Sequence, residues 1–180
     1  EIELNGVRAD VRTKETNLGN LIADGMLHAA KKIDPTVVMA LQNGGGIRDS
    51  INEGDVTLGE VLTVLPFNND LVTVKMTGAE IISALENGVS KTPSADGRFP
   101  HLAGARFDYD SKKPEGSRVV RVQILENGKY VNIVPSKYYM VATNAFTANG
   151  GDFYDSFKQA SNDGRMVPLY LPDFDVFQSY

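Results

Sequence analysis

The spacing of apolar positions changes along the chain from a helical pattern to a strand-like one. Between residues 18 and 33, apolar side chains recur three and four positions apart, which predicts an amphipathic helix capped by Thr16 or Asn17. Gly19 and Gly25 lie inside this helix, where each glycine costs up to about 1 kcal/mol relative to alanine. We therefore expect this helix to pack closely against another element.

Two further helices are indicated by capping boxes, in which a threonine is followed three positions later by a glutamate. The sequences Thr-Leu-Gly-Glu at residues 57–60 and Thr-Gly-Ala-Glu at residues 77–80 both have this form. They predict a short helix that ends near residues 65–66 and a longer one that continues to Val89. A helical turn is expected at residues 154–158, followed by an extended tail.

Strands dominate the second half of the chain. Asn127-Gly128 separates two of them and is the strongest short-range signal of a β-hairpin. Residues 91–100 are rich in Pro, Ser, Asp and Gly and predict a surface loop. The predicted strands are residues 37–42, 71–76, 105–109, 119–125, 130–134 and 138–143. Helices before a run of strands predict an α+β (mixed α/β) fold rather than regular βαβ winding, and the 180 residues suit a single domain.

Composition and charge exclude several classes of function. The 18 Lys and Arg residues against 23 Asp and Glu give a net charge of −5, and the chain lacks the dense positive face that a nucleic-acid polymer requires. The absence of cysteine excludes thiol catalysis, Cys-ligated zinc and disulfides. No apolar run reaches the roughly 18 residues of a membrane span, and we expect no signal peptide within these residues. Because the chain starts with Glu1 rather than methionine, we expect it to be a piece of a longer protein.

Motifs for hydrolysis are missing from the sequence. A two-metal phosphoesterase site needs clustered His, Asp and Asn ligands, but the two histidines, His28 and His101, are 73 positions apart. Each is interpreted as a surface or half-buried side chain. The chain has neither a Gly-x-Ser-x-Gly elbow nor a Gly-x-x-x-x-Gly-Lys phosphate loop. We therefore expect no metal site and no hydrolytic activity from this chain alone.

Two glycine-containing segments are the strongest indication of a ligand site. Residues 43–48 (Asn-Gly-Gly-Gly-Ile-Arg) and 144–152 (Asn-Ala-Phe-Thr-Ala-Asn-Gly-Gly-Asp) each follow a predicted strand and combine side-chain amides with one charged group. Glycine lets main-chain N–H groups approach a ligand and permits positive φ, and binding groups collect in loops at strand ends. Each loop alone is also consistent with a tight turn, but the pair favours a binding site.

Four segments, taken in order, resemble the C-terminal domain of the 5′-nucleotidase family, the metal-dependent nucleotide phosphoesterases of periplasm and cell surface. They are residues 12–20 (Arg-Thr-Lys-Glu-Thr-Asn-Leu-Gly-Asn), the 43–48 loop, residues 65–69 (Leu-Pro-Phe-Asn-Asn) and residues 146–152. The resemblance covers nearly the whole chain. It implies a layered sandwich of helices around mixed β-sheets that binds the nucleoside part of the substrate. A separate N-terminal domain would hold two metal ions and perform the hydrolysis.

The resemblance also implies roles for aromatic and acidic side chains. Phe67 and Phe146 match two family phenylalanines that sandwich the nucleobase, although on sequence alone each is also consistent with a buried core side chain. Asp152 would accept hydrogen bonds from the ribose hydroxyls, with an Asx turn as the local alternative. Phe153 departs from the family, which often has glycine at this position, so we expect a shifted loop or a third aromatic side chain.

Arginines and amides would hold the rest of the ligand. Arg12 and Arg48 would reach the phosphate with their planar guanidinium groups. The alternatives are a surface ion pair for Arg12 and a turn-stabilising role for Arg48. Asn43 matches a family position that contacts the substrate, and Gly45 and Gly46 would let the main chain approach it closely.

The resulting prediction is the nucleoside- and nucleotide-binding domain of a secreted, periplasmic or cell-wall-attached phosphoesterase, either a 5′-nucleotidase or a 2′,3′-cyclic-nucleotide phosphodiesterase. The expected partners are nucleosides, nucleotides and the protein's own N-terminal catalytic domain. Two divalent metal ions are expected in that domain, and no cofactor in this one. A nucleoside-binding module without hydrolysis and a structural or adhesive domain are the alternatives.

Overall fold

The computed structural model describes residues 2–180, which form two β-sheets covered by helices. The helices are α1 (Arg8–Val11), α2 (Asn17–Ile33), α3 (Leu58–Val64), α4 (Gly78–Val89), α5 (Ala145–Ala148), α6 (Asp155–Asn162) and α7 (Asp173–Ser179). The strands are β1 (Val37–Asn43), β2 (Asp70–Thr77), β3 (Pro100–Ala103), β4 (Ala105–Tyr109), β5 (Val119–Glu126), β6 (Lys129–Asn132), β7 (Tyr138–Asn144) and β8 (Met166–Pro172). Short 3₁₀ turns occupy Gly44–Gly46 and Gly151–Phe153.

The larger sheet has five strands in the order β3-β1-β7-β2-β8. Within it β1 and β7 run parallel, whereas the other neighbouring pairs are antiparallel. The smaller sheet is an antiparallel meander in the order β4-β5-β6. The two sheets and their helices confirm the predicted α+β (mixed α/β) fold.

Both faces of the five-stranded sheet are buried, which produces the layered sandwich. One face packs against α2, α3 and α7 through a core that includes Leu18 and Phe177. The other face packs against α4, α6 and the smaller sheet through a second core that includes Leu85 and Ile124. Because helices or strands cover both faces, β1 and β7 are buried along most of their length instead of alternating between buried and exposed positions.

The local signals of the sequence are confirmed at several helix and strand ends. Thr16 caps α2 by accepting a hydrogen bond from the Gly19 main-chain N–H. Both capping boxes, at Thr57 and Thr77, are present at the starts of α3 and α4. Asn127 and its neighbouring glycine adopt the positive φ of the predicted hairpin turn, between β5 and β6. Short-range side-chain chemistry determines all of these features.

His101 and the segment before it are more buried than expected. The interpretation of His101 as a surface or half-buried side chain is wrong, because it lies in β3 with only 2% of its surface exposed. Its Nε2 lies 2.8 Å from the Val11 carbonyl oxygen. A Cβ at Gly19 would lie 2.0 Å from its Nδ1, so the expected close packing of α2 is confirmed there. The predicted surface loop is also partly wrong, since Arg98 and Phe99 within it are buried.

The expected extended tail at the C-terminus is partly wrong, because it contains a paired strand and ends in a helix. The helical turn predicted at residues 154–158 is longer and forms α6, and the chain then continues into β8 and α7. Strand β8 pairs with β2 at one edge of the larger sheet, and α7 packs against α2. Pro168 and Pro172 weaken the strand signal in the sequence, but proline is tolerated on an edge strand because one side of it needs no hydrogen-bond donors.

Candidate functional site

Four chain segments meet at one end of the strands of the five-stranded sheet. Because β1 and β7 are parallel neighbours, their carboxyl ends lie at the same end of the sheet. Both β2 and β3 run antiparallel to these strands, so their first residues lie at that end as well, with Leu71 opposite Asn144 and Pro100 opposite Asn43. The loops that follow β1 and β7 therefore meet the segments that precede β2 and β3.

A cleft of about 640 Å³ lies at this end of the strands. We refer to it below as the strand-end cleft. The residues that line it are Arg12, Asn43, Gly45, Gly46, Arg48, Phe67, Asn69, Asp96, Gly97, Phe146, Asp152 and Phe153. All eight residues singled out from the sequence are among them. Asn69, Asp96 and Gly97 were missed, and the only sequence signal for the last two was turn-forming composition.

The first glycine loop (residues 43–48) is held by main-chain hydrogen bonds. The N–H of Gly44 donates to the Phe99 carbonyl at 2.7 Å, and the N–H of Gly45 donates to the Gly97 carbonyl at 2.8 Å. A Cβ at Gly45 would lie 2.9 Å from the Gly97 Cα, so a side chain would collide with the neighbouring main chain. These two N–H groups bind the segment before β3, and the expectation that glycine N–H groups here face a ligand is wrong for Gly45.

Buried amides connect the first glycine loop to Asp152. Asn43 is buried, and its Nδ2 donates to Asp152 Oδ2 at 2.8 Å. Its Oδ1 in turn accepts from Asn144 Nδ2 at 3.0 Å. Asn144 also caps α5 by accepting from the Thr147 N–H at 2.9 Å. The Asp152 carboxylate is thus held by a residue 109 positions away, instead of forming only the local Asx turn that the sequence allows.

The second glycine loop (residues 144–153) contains an unusual main-chain conformation. Gly150 has φ 93, and the non-glycine residues Asp152 and Phe153 have φ 54 and φ 63. Left-handed conformations of this kind cost on the order of 1–3 kcal/mol for each residue with a side chain and persist where their surroundings hold them. The main-chain carbonyl of Asp152 accepts a hydrogen bond from Asn87 Nδ2 at 3.0 Å. The loop is therefore held by side chains that come from elsewhere in the fold.

Three aromatic side chains on the strand-end cleft are exposed. Phe67 is 54% exposed, Phe146 is 43% exposed and Phe153 is 68% exposed, so none of them is a core side chain. The Phe146 ring lies over Gly151, where a Cβ would be 2.5 Å from the ring carbon Cε1. Exposed aromatic surface in a concave site is characteristic of places where flat ligands bind.

Two arginines of the strand-end cleft have no carboxylate partner. Within residues 2–180, neither Arg12 nor Arg48 forms a salt bridge, so the surface ion pair considered for Arg12 is absent. The Arg48 guanidinium carbon lies 5.6 Å from the Phe67 ring centroid, and its Nη1 donates weakly to the Gly45 carbonyl at 3.4 Å. Both guanidinium groups are therefore available to an anionic group.

Burial and neighbouring charges lower the pKa of Arg12. Burial is the largest cause that lowers the pKa of Arg12, and the positive charges of Arg8 and Arg48 lower it further, while Asp152 and Asp96 act in the opposite direction. Its Nε is buried without a hydrogen-bond partner. Because an arginine remains protonated at neutral pH even with a lowered pKa, this side chain is a partly desolvated cation beside the cleft.

Metal and membrane features are not found in the part of the chain that the structure describes. From residue 2 to residue 180, no three His, Cys, Asp or Glu side chains cluster in a way that could hold a metal ion. Over the same residues, no helix has the length and apolar character needed to cross a bilayer. The carboxylates of the cleft, Asp96 and Asp152, therefore have no third ligand of this kind beside them.

The fold and the strand-end cleft define a class of protein, an α+β domain whose cleft suits a flat ligand with polar and anionic groups. The sequence profile of the family described as "5′-nucleotidase, C-terminal domain" matches residues 2–159. The chain belongs to this family, and the resemblance inferred from four short segments is confirmed. The predicted family fold is confirmed as well.

Relatives of this chain are named as nucleotide-hydrolysing enzymes. The chain is 47% identical to the "Trifunctional nucleotide phosphoesterase protein YfkN" of Bacillus subtilis over 98% of its own length. It is 36% identical over 87% of its length to the "NAD 5′-nucleotidase" of Haemophilus influenzae. A crystal structure of a 5′-nucleotidase precursor from Thermus thermophilus has a TM-score of 0.94 and 45% identity over 99% of this chain.

These relatives are much longer than the chain described here. The chain spans 12% of the Bacillus protein, 26% of the Haemophilus protein and 34% of the Thermus chain. The activity of such a relative therefore belongs to a protein in which a domain like this one is only a part.

Proposed function

We propose that this chain is the nucleoside- and nucleotide-binding domain of a longer phosphoesterase, a 5′-nucleotidase or a 2′,3′-cyclic-nucleotide phosphodiesterase. The observation that supports this most strongly is the combination of groups in the strand-end cleft. Exposed aromatic rings, an acceptor carboxylate and guanidinium groups without carboxylate partners line one concave surface. These groups correspond to the base, the sugar and the phosphate of a nucleotide.

The nucleobase would lie between Phe67 and Phe146. The two rings come from segments at the ends of neighbouring strands, Phe67 just before β2 and Phe146 in α5 just after β7, and both are exposed. Stacking on an aromatic ring contributes roughly 1–3 kcal/mol per base and tolerates different bases, because every base has a π-face. These rings would therefore supply most of the affinity while discriminating weakly between bases. Their exposure argues against a purely structural role.

The ribose would bind at Asp152. An ionised carboxylate is acceptor-only, so it pairs with the two vicinal hydroxyls of a ribose. Asn43 already donates to one of its oxygens at 2.8 Å, which leaves the rest of the acceptor capacity of the carboxylate for the sugar. Gly45 and Gly46 would let the main chain line this side of the cleft, since a side chain at Gly45 would collide with the Gly97 main chain and one at Gly46 with the buried Gln42 amide.

The phosphate would be held by Arg12 and Arg48. A guanidinium presents a planar pair of N–H donors that matches two phosphate oxygens, and charge-assisted hydrogen bonds of this kind are about twice as strong as neutral ones. The partly desolvated position of Arg12 strengthens such an interaction further.

Hydrolysis would take place on a separate N-terminal domain. That domain would bind two divalent metal ions and activate water, and this chain would orient the nucleotide against it. The chain alone would therefore be inactive, and the whole protein would be secreted, periplasmic or attached to the cell wall. Incubation of this chain with AMP and Mn²⁺, Co²⁺ or Zn²⁺ should release no phosphate. Phosphate release that scales with the concentration of this chain would contradict the proposal that hydrolysis requires a separate domain.

The binding function is tested by titrating this chain with adenosine and AMP while recording its amide NMR spectrum. We expect a Kd in about the millimolar range, equivalent to roughly 4 kcal/mol, with the largest shifts near Phe67 and Phe146. Phe146→Ala should weaken both ligands, whereas Tyr138→Ala, which removes an exposed aromatic ring outside the strand-end cleft, should not. Unchanged spectra at high ligand concentration would favour a structural module, and binding without hydrolysis in the full-length protein would favour a nucleoside-binding module.

A further inference from the structure

Two consecutive non-glycine residues adopt a left-handed conformation at the wall of the strand-end cleft. Asp152 has φ 54 and Phe153 has φ 63. Glycine enters this region readily, whereas a Cβ makes it unfavourable, and a phenylalanine gains nothing there from a local polar side chain. Residues persist in this region where the surrounding structure holds them. The side chains that hold this turn therefore determine where the Asp152 carboxylate points.

Asn87 on α4 holds the main chain of the turn. Its Nδ2 donates to the Asp152 carbonyl oxygen at 3.0 Å. Its Oδ1 accepts a hydrogen bond from Arg98 Nη1 at 3.3 Å. Since α4 is packed against the second core, Asn87 connects the turn to a rigid element.

Arg98 holds the second residue of the turn as well. Its guanidinium carbon lies 4.6 Å from the Phe153 ring centroid, within the range of a cation–π interaction. The guanidinium is itself fixed, because Nε pairs with Asp96 Oδ1 at 2.9 Å and Nη1 donates to Ser90 Oγ at 3.1 Å. Only 9% of Arg98 is exposed. A buried cation, held by Asp96 and Ser90, thus contacts Phe153 directly and Asp152 through Asn87.

The contacts of Arg98 exceed what a structural ion pair requires. Asp96 alone would compensate its charge, yet Nη1 also donates to Asn87 and the flat face of the guanidinium lies against the Phe153 ring, the two groups that flank the left-handed turn. On the opposite side of the turn, Asn43 donates to the Asp152 carboxylate. Asp152 is consequently held at its carbonyl by one amide and at its carboxylate by another.

We propose that Arg98 is a positioning residue that, through Asn87 and the Phe153 ring, fixes the Asp152 carboxylate for the ribose hydroxyls. It would therefore set the preference for ribonucleosides over 2′-deoxyribonucleosides without touching the ligand. The inference rests on the proposed function, in which Asp152 binds the sugar. It also predicts energetic coupling between Arg98 and Phe153, because glycine at position 153 adopts φ 63 without needing the guanidinium.

The test compares adenosine and 2′-deoxyadenosine, with Kd values measured by NMR titration of this chain. We expect Arg98→Met to weaken adenosine about fivefold and 2′-deoxyadenosine less than about twofold. The reason is that the change misplaces the Asp152 carboxylate, so that a hydrogen bond to the ribose hydroxyls is lost and the other ligand contacts remain. In a Phe153→Gly background the same change should weaken adenosine less than about twofold. Arg106→Met is the matched control, since that guanidinium lies 4.0 Å from the Tyr130 ring and outside the cleft.

A second variant covers the case in which Arg98→Met does not fold. Asn87→Ala removes the hydrogen bond to the Asp152 carbonyl and leaves the Arg98–Asp96 pair intact, and it should also reduce the preference for adenosine. If either folded variant weakens both nucleosides equally, or lowers the melting temperature while the preference is unchanged, Arg98 has only a structural role. A wild-type chain that binds neither nucleoside, or binds both equally, contradicts instead the assignment of Asp152 in the proposed function.

Discussion

The two glycine loops follow parallel neighbouring strands and begin with the same residue, yet they are held in different ways. The first glycine loop is fixed by main-chain hydrogen bonds from Gly44 and Gly45 to the segment before β3. The second glycine loop is fixed by side chains, with Asn87 and Asn43 bound to the carbonyl and carboxylate of Asp152. It contains two left-handed residues with side chains, whereas the three glycines of the first loop have no positive φ.

This difference indicates that the first loop mainly supports the structure of the cleft, whereas the second places side chains where a ligand can contact them. The first loop contributes its main chain to the wall of the strand-end cleft and leaves one long side chain, Arg48, at its exposed end. The second loop presents two exposed rings and a carboxylate. Substitutions in the first loop should therefore act mainly on stability, and substitutions in the second mainly on ligand affinity.

The largest expected effect is on the free energy of unfolding, when one glycine in each loop is replaced by alanine. In Gly44→Ala the new Cβ would lie 2.0 Å from the Val11 carbonyl oxygen, a main-chain atom that cannot turn away, so we expect a loss of about 3 kcal/mol in the free energy of unfolding. In Gly151→Ala the Cβ meets the exposed Phe146 ring, which can rotate, so the loss should stay below about 1 kcal/mol. Urea denaturation measures both values.

Gly59→Ala is the control for these two variants. Its nearest atom would be Thr57 Oγ1 at 3.8 Å, and the residue lies in α3 on the surface. Alanine there should raise stability by up to about 1 kcal/mol, because it favours the helix. Equal losses in Gly44→Ala and Gly151→Ala would show that the two loops are equally rigid and would remove the distinction between them.

The aromatic rings should give the next largest effect, on affinity. Phe67→Ala and Phe146→Ala each remove one stacking face, and we expect each to weaken adenosine, guanosine and uridine by about 2 kcal/mol. Isothermal titration or NMR gives the Kd values, and the melting temperature should change little because both rings are exposed. An effect confined to one base would contradict stacking and would indicate that the ring recognises the edge of that base.

Asp152→Ala should have a smaller effect that depends on the sugar. We expect a loss of about 1.5 kcal/mol for adenosine, the usual scale for a hydrogen bond to a charged group, and a smaller loss for 2′-deoxyadenosine, which lacks one hydroxyl. Asn43→Ala is a useful comparison, because it removes the donor that holds the Asp152 carboxylate and leaves the carboxylate in place. Equal losses for both nucleosides in a folded Asp152→Ala variant would refute the ribose assignment.

Arg48→Ala should have the smallest effect and should depend on the phosphate. We expect AMP to bind about 1 kcal/mol more weakly while adenosine is unchanged, because Arg48 is exposed and its interaction is screened by water and salt. The difference between AMP and adenosine should shrink further as the salt concentration rises. If Arg48→Ala weakens adenosine as much as AMP, its contact with Phe67 matters more than its charge.

Much of the fold could be predicted from the sequence because its signals are local. The helical spacing after Thr16, the two capping boxes and the Asn127-Gly128 turn all act over a few residues, and the structure confirms each of them. The missed elements lacked such signals. Strand β8 contains two prolines and lies at a sheet edge, so its identity depends on pairing with β2 rather than on its own residues.

By itself the sequence determined the starts of α2, α3 and α4, the hairpin, the fold class and the family, and it predicted the eight residues proposed to contact the ligand. These depend on side-chain chemistry within a few positions or on short motifs in a fixed order. Only the tertiary structure decided that His101 and Arg98 are buried, and that Asn87 and Asn43 hold Asp152. The contacting residues lie 65 and 109 positions apart. Pairing of this kind follows from strand order and helix packing, which no local pattern encodes.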